Sequence, residues 1–137
     1  MLEQHLKRLF EDLELSAAVI KGEDDGYTVP LNDTLKVEIK ELDPGLSFYT
    51  VLGALPTAKK EELFIYLMKA NFLGQGTGGG TIALDDEEKF LTLSLVLPYD
   101  MNYITFKEAL EDFVNYAEYW KRELLRHQKS SEDSILT

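Results

Sequence analysis

Cysteine is absent from the 137-residue chain, and basic residues are outnumbered. Without cysteine there is no disulfide, no thiolate nucleophile and no cysteine-based zinc site. The 14 Lys and Arg residues face 25 Asp and Glu residues, which gives a formal net charge of −11 at pH 7. Because phosphate backbones and anionic lipids repel such a chain, we expect neither nucleic acid nor a membrane surface as a partner.

Long apolar runs and histidine are scarce as well. No run approaches the roughly 18 residues that cross a bilayer, and the N-terminus lacks the apolar core and cleavage site of a signal peptide. The sequence therefore predicts a cytoplasmic protein that does not insert into membranes. Its two histidines, His5 and His127, lie among charged residues of predicted helices, which favours surface positions over a metal or catalytic role.

The remaining composition is that of an ordinary globular protein, with 45% apolar residues. Length and composition predict one domain over residues 1–128, followed by a polar, frayed tail over residues 129–137. Apolar periodicity predicts the element order α-β-β-β-α-β-β-α, an α+β fold in which helices pack on an antiparallel sheet. The predicted strands cover residues 27–31, 35–40, 46–53, 81–84 and 90–97. The predicted helices cover residues 2–13, about 59–73, and a last helix that opens with a capping box at 105–108.

Two of these helices carry the most informative patterns. In the last helix, apolar residues recur in alternating steps of four and three and predict a stripe that faces the core. They are Phe106, Leu110, Phe113, Ala117, Trp120 and Leu124. In the middle helix, the consecutive apolar or aromatic residues 63–68 cover every side. One side can pack on the sheet, and the other needs a partner, for which a second copy of the chain is the simplest candidate.

Two further motifs are weak functional signals. Residues 74–80 contain the spacing G-x-G-x-x-G, but a predicted helix precedes it and a strand follows, the reverse of a dinucleotide site. We therefore interpret this run as a flexible connection. The acidic clusters 23–25 and 85–88 lack the spacing of a calcium loop and are interpreted as solvated turns. We expect neither a cofactor nor a metal ion.

Four short motifs follow one another between Leu6 and Trp120. They are Gly53-x-Leu55-Pro56 after the third strand, Leu67-x-x-Ala70-Asn71 at the end of the middle helix, Gly79-Gly80-x-Ile82-x-Leu84-Asp85 at the fourth strand, and Leu93-x-Leu95 in the fifth. Together with the apolar stripe of the last helix, their order and spacing resemble the class I chaperones of bacterial type III secretion, relatives of the Tir chaperone.

The resemblance implies a bacterial cytoplasmic homodimer without enzymatic activity. Such chaperones bind an N-proximal segment of one or more secreted effectors and keep it extended, soluble and ready for export. In the family the middle helix and an adjoining strand form the dimer, which assigns the interface to Leu63, Tyr66, Leu67, Ala70, Asn71 and Ile82. The first helix and the first three strands bind effectors, which assigns that role to Leu6, Phe10, Val29, Val37, Phe48 and Tyr49.

Two other functions stay open. The same fold can serve a regulatory protein-binding module whose partner is not an effector, because a fold alone does not determine function. A small-ligand-binding or enzymatic α+β domain is less favoured, since the sequence shows no concentrated set of polar groups for a pocket. A heterodimer with a second, different chaperone subunit is an alternative to the homodimer.

Overall fold

The computed structural model describes residues 2–13, 20–21 and 26–136, without the side chains of residues 20–21 and 131–136. The elements are helix α1 (Leu2–Leu13), strands β1 (Ile20–Lys21), β2 (Gly26–Pro30), β3 (Lys36–Glu41) and β4 (Leu46–Ala54), helix α2 (Lys60–Asn71), a 3₁₀ turn (Phe72–Gly74), strands β5 (Thr81–Leu84) and β6 (Phe90–Leu97), and helix α3 (Tyr103–Leu136). Within these residues the strands form one sheet in the order β1-β2-β3-β4-β6-β5. None of the helices in this part of the chain is long and apolar enough to cross a membrane.

This element order confirms the predicted α+β fold with an antiparallel sheet. Each predicted helix and strand is present. Strand β1 is an addition, since its two residues are too few to show an alternating pattern. The acidic cluster 23–25 lies outside the described residues. Residues 85–88 form the expected turn, in which Asp85 Oδ1 accepts the backbone N–H groups of Lys89 and Phe90 at 2.8 and 3.1 Å.

Helix α3 begins before the predicted capping box and ends later than expected. Asn102 caps it, because its Oδ1 accepts the N–H of Thr105 at 2.9 Å and its backbone O accepts that of Phe106 at 3.0 Å. The helix continues to Leu136, so the prediction of a frayed tail is wrong for the backbone of residues 129–136. Extending a helix that has already formed costs little for residues such as Gln, Lys and Glu, which explains its length.

The described residues group into two compact units. Unit 1 is drawn from residues 1–50 and 94–114, and unit 2 from residues 51–93 and 115–137. Strands β4 and β6 and helix α3 contribute residues to both units. The prediction of one domain over residues 1–128 stays a prediction.

Unit 1 shows the burial of an amphipathic helix and of an alternating strand. Helix α1 buries one face, formed by Leu2, Leu6 and Leu9. On β3, Val37 and Ile39 are fully buried, whereas the residues between them are exposed. This is the one-sided burial of an antiparallel strand with one solvated face.

Aromatic side chains fill the centre of unit 1. The ring of Phe48 lies 6.2 Å from that of Phe106 and 5.3 Å from that of Phe113, measured between centroids. His5 stacks on Phe106 at 5.4 Å, and its Nε2 lies 2.9 Å from the backbone O of Met101. The expected surface position of His5 is therefore wrong, because the imidazole is half-buried and holds α1 against the segment before α3.

Candidate protein-binding surfaces

Helix α2 has one buried face and one exposed apolar face. The buried residues are Leu63, Leu67 and Ala70. On the opposite side Ile65, Met68 and Phe72 follow one another at helical spacing, and Met68 is 71% exposed. Leu73 comes next in the chain and is 79% exposed. We refer to these four exposed residues as the outer stripe. Exposed apolar side chains gathered in this way are typical of a contact site for another protein.

The six residues predicted for the dimer lie at different depths of unit 2. Four are buried, namely Leu63, Leu67, Ala70 and Ile82. Tyr66 is 46% exposed, and Asn71 is half-buried. The interface assignment stays a prediction. Tyr66 and the outer stripe, which runs from α2 into the 3₁₀ turn, are exposed apolar or aromatic residues that another chain can reach. The apolar run 63–68 predicted a second contact face on this helix, and a helical wheel places Ile65, Met68 and Phe72 on it, opposite the buried residues.

Asn71 occupies the edge of the sheet. Strand β5 is an edge strand, and the Asn71 side chain bonds to both backbone polar groups of Ile82 on that strand. Its Nδ2 donates to the Ile82 carbonyl and its Oδ1 accepts the Ile82 N–H, each at 2.8 Å. The amide thus takes the place of a neighbouring strand, which leaves fewer free groups for strand addition at this edge.

The glycine run 74–80 is a packed connection rather than the flexible one that we expected. The N–H of Gly76 donates to the Ala70 carbonyl at 2.9 Å, and the indole N–H of Trp120 donates to the Gly76 carbonyl at 2.9 Å. A side chain on Gly76 would come within 2.9 Å of the Ala70 Cα, so this approach needs glycine. The run ties α2 to α3, and strand β5 follows it, as the sequence order predicts.

A cavity of about 690 Å³ with aromatic walls lies between α2, the glycine run and α3 in unit 2. Its aromatic residues are Tyr66, Tyr116, Tyr119 and Trp120. The Trp120 ring meets those of Tyr66 and Tyr119 edge to face, with centroids 5.4 and 5.2 Å apart. A hydrogen bond with Tyr119, together with burial and the nearby Glu123, raises the pKa of Tyr66 to about 12. Three exposed polar residues complete the lining, namely Lys69, Asn115 and Arg122.

The residues predicted to bind effectors all belong to unit 1. Four are core residues with 3% exposure or less, namely Leu6, Val29, Val37 and Phe48. Phe10, on α1, and Tyr49, paired with Glu38 across β4 and β3, are half-buried. This assignment also stays a prediction, and Phe10 and Tyr49 are the members that a partner can touch without opening the core.

The second histidine and the acidic residues are the remaining candidates for a metal site. His127 is half-buried, with its Nε2 3.2 Å from the backbone O of Ala58, so its expected surface position is wrong as well. Among the described residues, no three His, Asp or Glu side chains come together in a group that could hold a metal ion. The described residues do offer exposed apolar surface for contact with another protein.

The profile of the Tir chaperone protein (CesT) family matches residues 4–121 of the 137-residue chain. The chain belongs to the Tir chaperone family. The resemblance drawn from the sequence motifs is thereby confirmed, together with the type of function that it implied, which is that of an effector-binding chaperone of type III secretion. Membership also places the chain among chaperones rather than among families of enzymes.

Relatives extend over nearly the whole chain. A protein of Chlamydia pneumoniae, CPj0713/CpB0740, is 28% identical over 126 residues, which are 90% of this chain and 96% of that protein. The fold is similar to a chain of the ExsC-ExsE complex, with a TM-score of 0.71, 13% identity and coverage of 88% of this chain and 91% of that one.

Two further solved structures share the fold. A chain of the heterodimeric ExoU-SpcU complex from the type III secretion system of Pseudomonas aeruginosa has a TM-score of 0.61 and 16% identity, with 87% of this chain and 93% of that one covered. YbjN from E. coli, a protein proposed as a transcription regulator, has a TM-score of 0.67 and 19% identity, with 93% of both chains covered. At these identities the likeness concerns the fold alone.

Proposed function

We propose that this member of the Tir chaperone family is a cytoplasmic homodimer that holds an N-proximal segment of a type III secreted effector in extended form. The segment stays unfolded, soluble and competent for export while it is bound. The chain performs no chemical reaction on it. Family membership supports the chaperone function, and the net charge of −11 keeps a complex with exposed apolar surface in solution.

The outer stripe is the observation that carries the homodimer. Its four apolar residues are exposed in the single chain. Two of them lie on α2, the helix that supplies most of the predicted interface, and two lie directly after it. A patch on one helix can bury itself against the same patch of a second copy, because a two-fold interface is self-complementary. In this arrangement Met68 and Phe72 make the contact, while Leu63 and Leu67 keep α2 attached to its own chain.

The sheet edges indicate where an extended segment can add. A peptide joins a sheet at an edge strand through main-chain hydrogen bonds, and its alternate side chains enter apolar pockets. At the β5 edge, Asn71 already bonds to Ile82. The opposite edge is β1, so we assign strand addition to that side of the sheet. Phe10 and Tyr49, half-buried in unit 1, are the proposed effector contacts.

The experiment is a native purification of the tagged chain from its source bacterium. Bound proteins are identified, their protected segments are mapped by limited proteolysis, and copy numbers are read by native mass spectrometry. Two copies of the chain on a protected N-proximal segment of a secreted protein is the expected result. Recovery of a monomer, or of partners protected only in folded domains, would overturn the proposal.

A regulatory protein-binding module is the second candidate function. It is favoured by the likeness in fold to YbjN, at a TM-score of 0.67. The same purification separates the two, because a regulatory module returns cytoplasmic regulators and no secreted protein. The Met68→Asp variant, purified in the same way, serves as the control. If it no longer forms the dimer, it should also fail to recover partners that bind both copies of the chain.

A further inference from the structure

The aromatic cavity of unit 2 is distinct from the outer stripe. Tyr66, Lys69 and Ala70 line it from α2, whereas Ile65, Met68 and Phe72 do not. On a helical wheel Tyr66 and Lys69 lie on the flank between the buried face and the outer stripe. Contact between two outer stripes therefore does not by itself fill this cavity.

The chemistry of the cavity is apolar inside and cationic at its exposed residues. Aromatic rings, Ala70 and Gly76 form the apolar wall. The exposed Lys69 comes from α2 and the exposed Arg122 from α3. Neither makes an ion pair with the side chains that the structure describes. Their charges can therefore attract a carboxylate on a bound partner.

We propose that this cavity is an anchor site for the bound effector segment, taking one large apolar side chain that has Asp or Glu two positions away in the segment. The proposal rests on the proposed function, because it names one contact of the segment. The volume of about 690 Å³ lies within the range of roughly 300–1,000 Å³ that is usual for ligand pockets. In an extended segment, side chains two positions apart point to the same side, so a carboxylate two positions from the apolar group can stay near Lys69 and Arg122 while the apolar group enters.

Trp120 provides a direct probe, because it is the only tryptophan of the chain and forms part of the cavity wall. The test titrates the full chain with three short peptides that lack tryptophan and tyrosine. The first has the core Asp-Ser-Phe-Ser-Asp, the second Lys-Ser-Phe-Ser-Lys and the third Asp-Ser-Ala-Ser-Asp. We expect the first to change Trp120 emission in a saturable way, the second to bind at least tenfold more weakly, and the third to have no effect.

Charge-reversal variants then test the role of the two cations. Lys69→Glu and Arg122→Glu should each weaken binding of the first peptide about fivefold or more, because an attraction becomes a repulsion. Lys60→Glu is the matched control, since it makes the same change at the start of α2 and Lys60 does not line the cavity. Added salt should reduce the difference between variant and native chain, as screening weakens contacts between exposed charges.

Each outcome decides the proposal. Equal binding of the acidic and basic peptides, no saturable change with any peptide, or unchanged binding in Lys69→Glu and Arg122→Glu would overturn it. Dilution of the chain without peptide is the last comparison. If dilution changes Trp120 emission, and Arg122→Glu loses both this change and the dimer, the cavity belongs to a second copy of the chain and the proposal is overturned. Because the peptides are tested on the isolated chain, failure here leaves the purification of an effector complex as a separate test of the proposed function.

Discussion

Substitution of Met68 by Asp tests the outer stripe without disturbing the fold. Met68 is 71% exposed, so its replacement removes little that holds the single chain together. Leu67 is 5% exposed, and a charge there would be buried inside the chain and would unfold it. Met68→Asp therefore separates loss of the dimer from loss of the fold, which a change at Leu67 does not.

The expected magnitude follows from the exposed area of Met68. Full burial of a Met side chain contributes about 1.5–3 kcal/mol, and 71% of Met68 is available for burial by a partner. That fraction corresponds to roughly 1–2 kcal/mol per copy. A two-fold interface contains the residue twice, so the dimer loses roughly 2–4 kcal/mol, which weakens its dissociation constant about 30- to 700-fold. Two carboxylates brought close to the two-fold axis weaken it further.

The assay is sedimentation or light scattering over a concentration series, with circular dichroism as a check of the fold. Ile104→Asp is the matched control, because Ile104 is 62% exposed on α3 and belongs to unit 1. We expect Met68→Asp to be folded and monomeric at concentrations where the native chain and Ile104→Asp are dimeric. A Met68→Asp variant whose dissociation constant lies within about threefold of the native one would refute the reasoning, since that change is worth well under 1 kcal/mol.

Three further predictions concern single interactions. Asn71→Ala removes both hydrogen bonds to Ile82, so the free energy of unfolding should fall by about 1–3 kcal/mol and the Ile82 amide should exchange faster; unchanged exchange would contradict the edge contact. Trp120→Phe keeps an aromatic wall but loses the indole donor to the glycine run, and a denaturation midpoint equal to the native one would show that this bond is not stabilising. Burial, aided by donation of the Tyr103 hydroxyl to Asp12 at 2.7 Å, raises the pKa of Tyr103 from 10.0 to about 12. Because the unfolded chain loses this proton at lower pH than the folded chain, the free energy of unfolding should be constant below pH 10 and fall between pH 10 and 12. Urea midpoints measured over this range should fall less steeply in Tyr103→Phe.

Local periodicity was sufficient to predict most of the fold. The alternation of Val37 and Ile39 with charged residues, and the stripe from Phe106 to Leu124 on α3, each have one buried side, and the structure buries that side. Such a pattern needs only the order of apolar and polar residues within one helix or strand, and the sequence shows that order directly. The end of α3 was predicted less well, because polar residues such as those at 129–136 favour a solvated helix as readily as a frayed end.

The binding surfaces depend on contacts between distant residues, which a sequence displays poorly. The six apolar residues at 63–68 predicted a helix with two contact faces, but the depth of Leu67 and the exposure of Met68 depend on what packs against α2. The role of Asn71 needs Ile82, 11 residues away, at a sheet edge. The cavity needs Trp120 to reach the glycine run, 44 residues away. Neither of these two long-range contacts leaves a periodic pattern in the sequence.

The most direct test of the central claim is the mass of the native complex purified from the source bacterium. The chain has a mass of 15.6 kDa, so two copies contribute 2 × 15.6 = 31.2 kDa. We expect a species of 31.2 kDa plus the mass of one effector chain. In that complex the N-proximal amides of the effector should exchange as in an unfolded segment, except in the strand that joins the sheet. A complex with one copy of the chain, or an effector with a protected, globular N-proximal region, would contradict it.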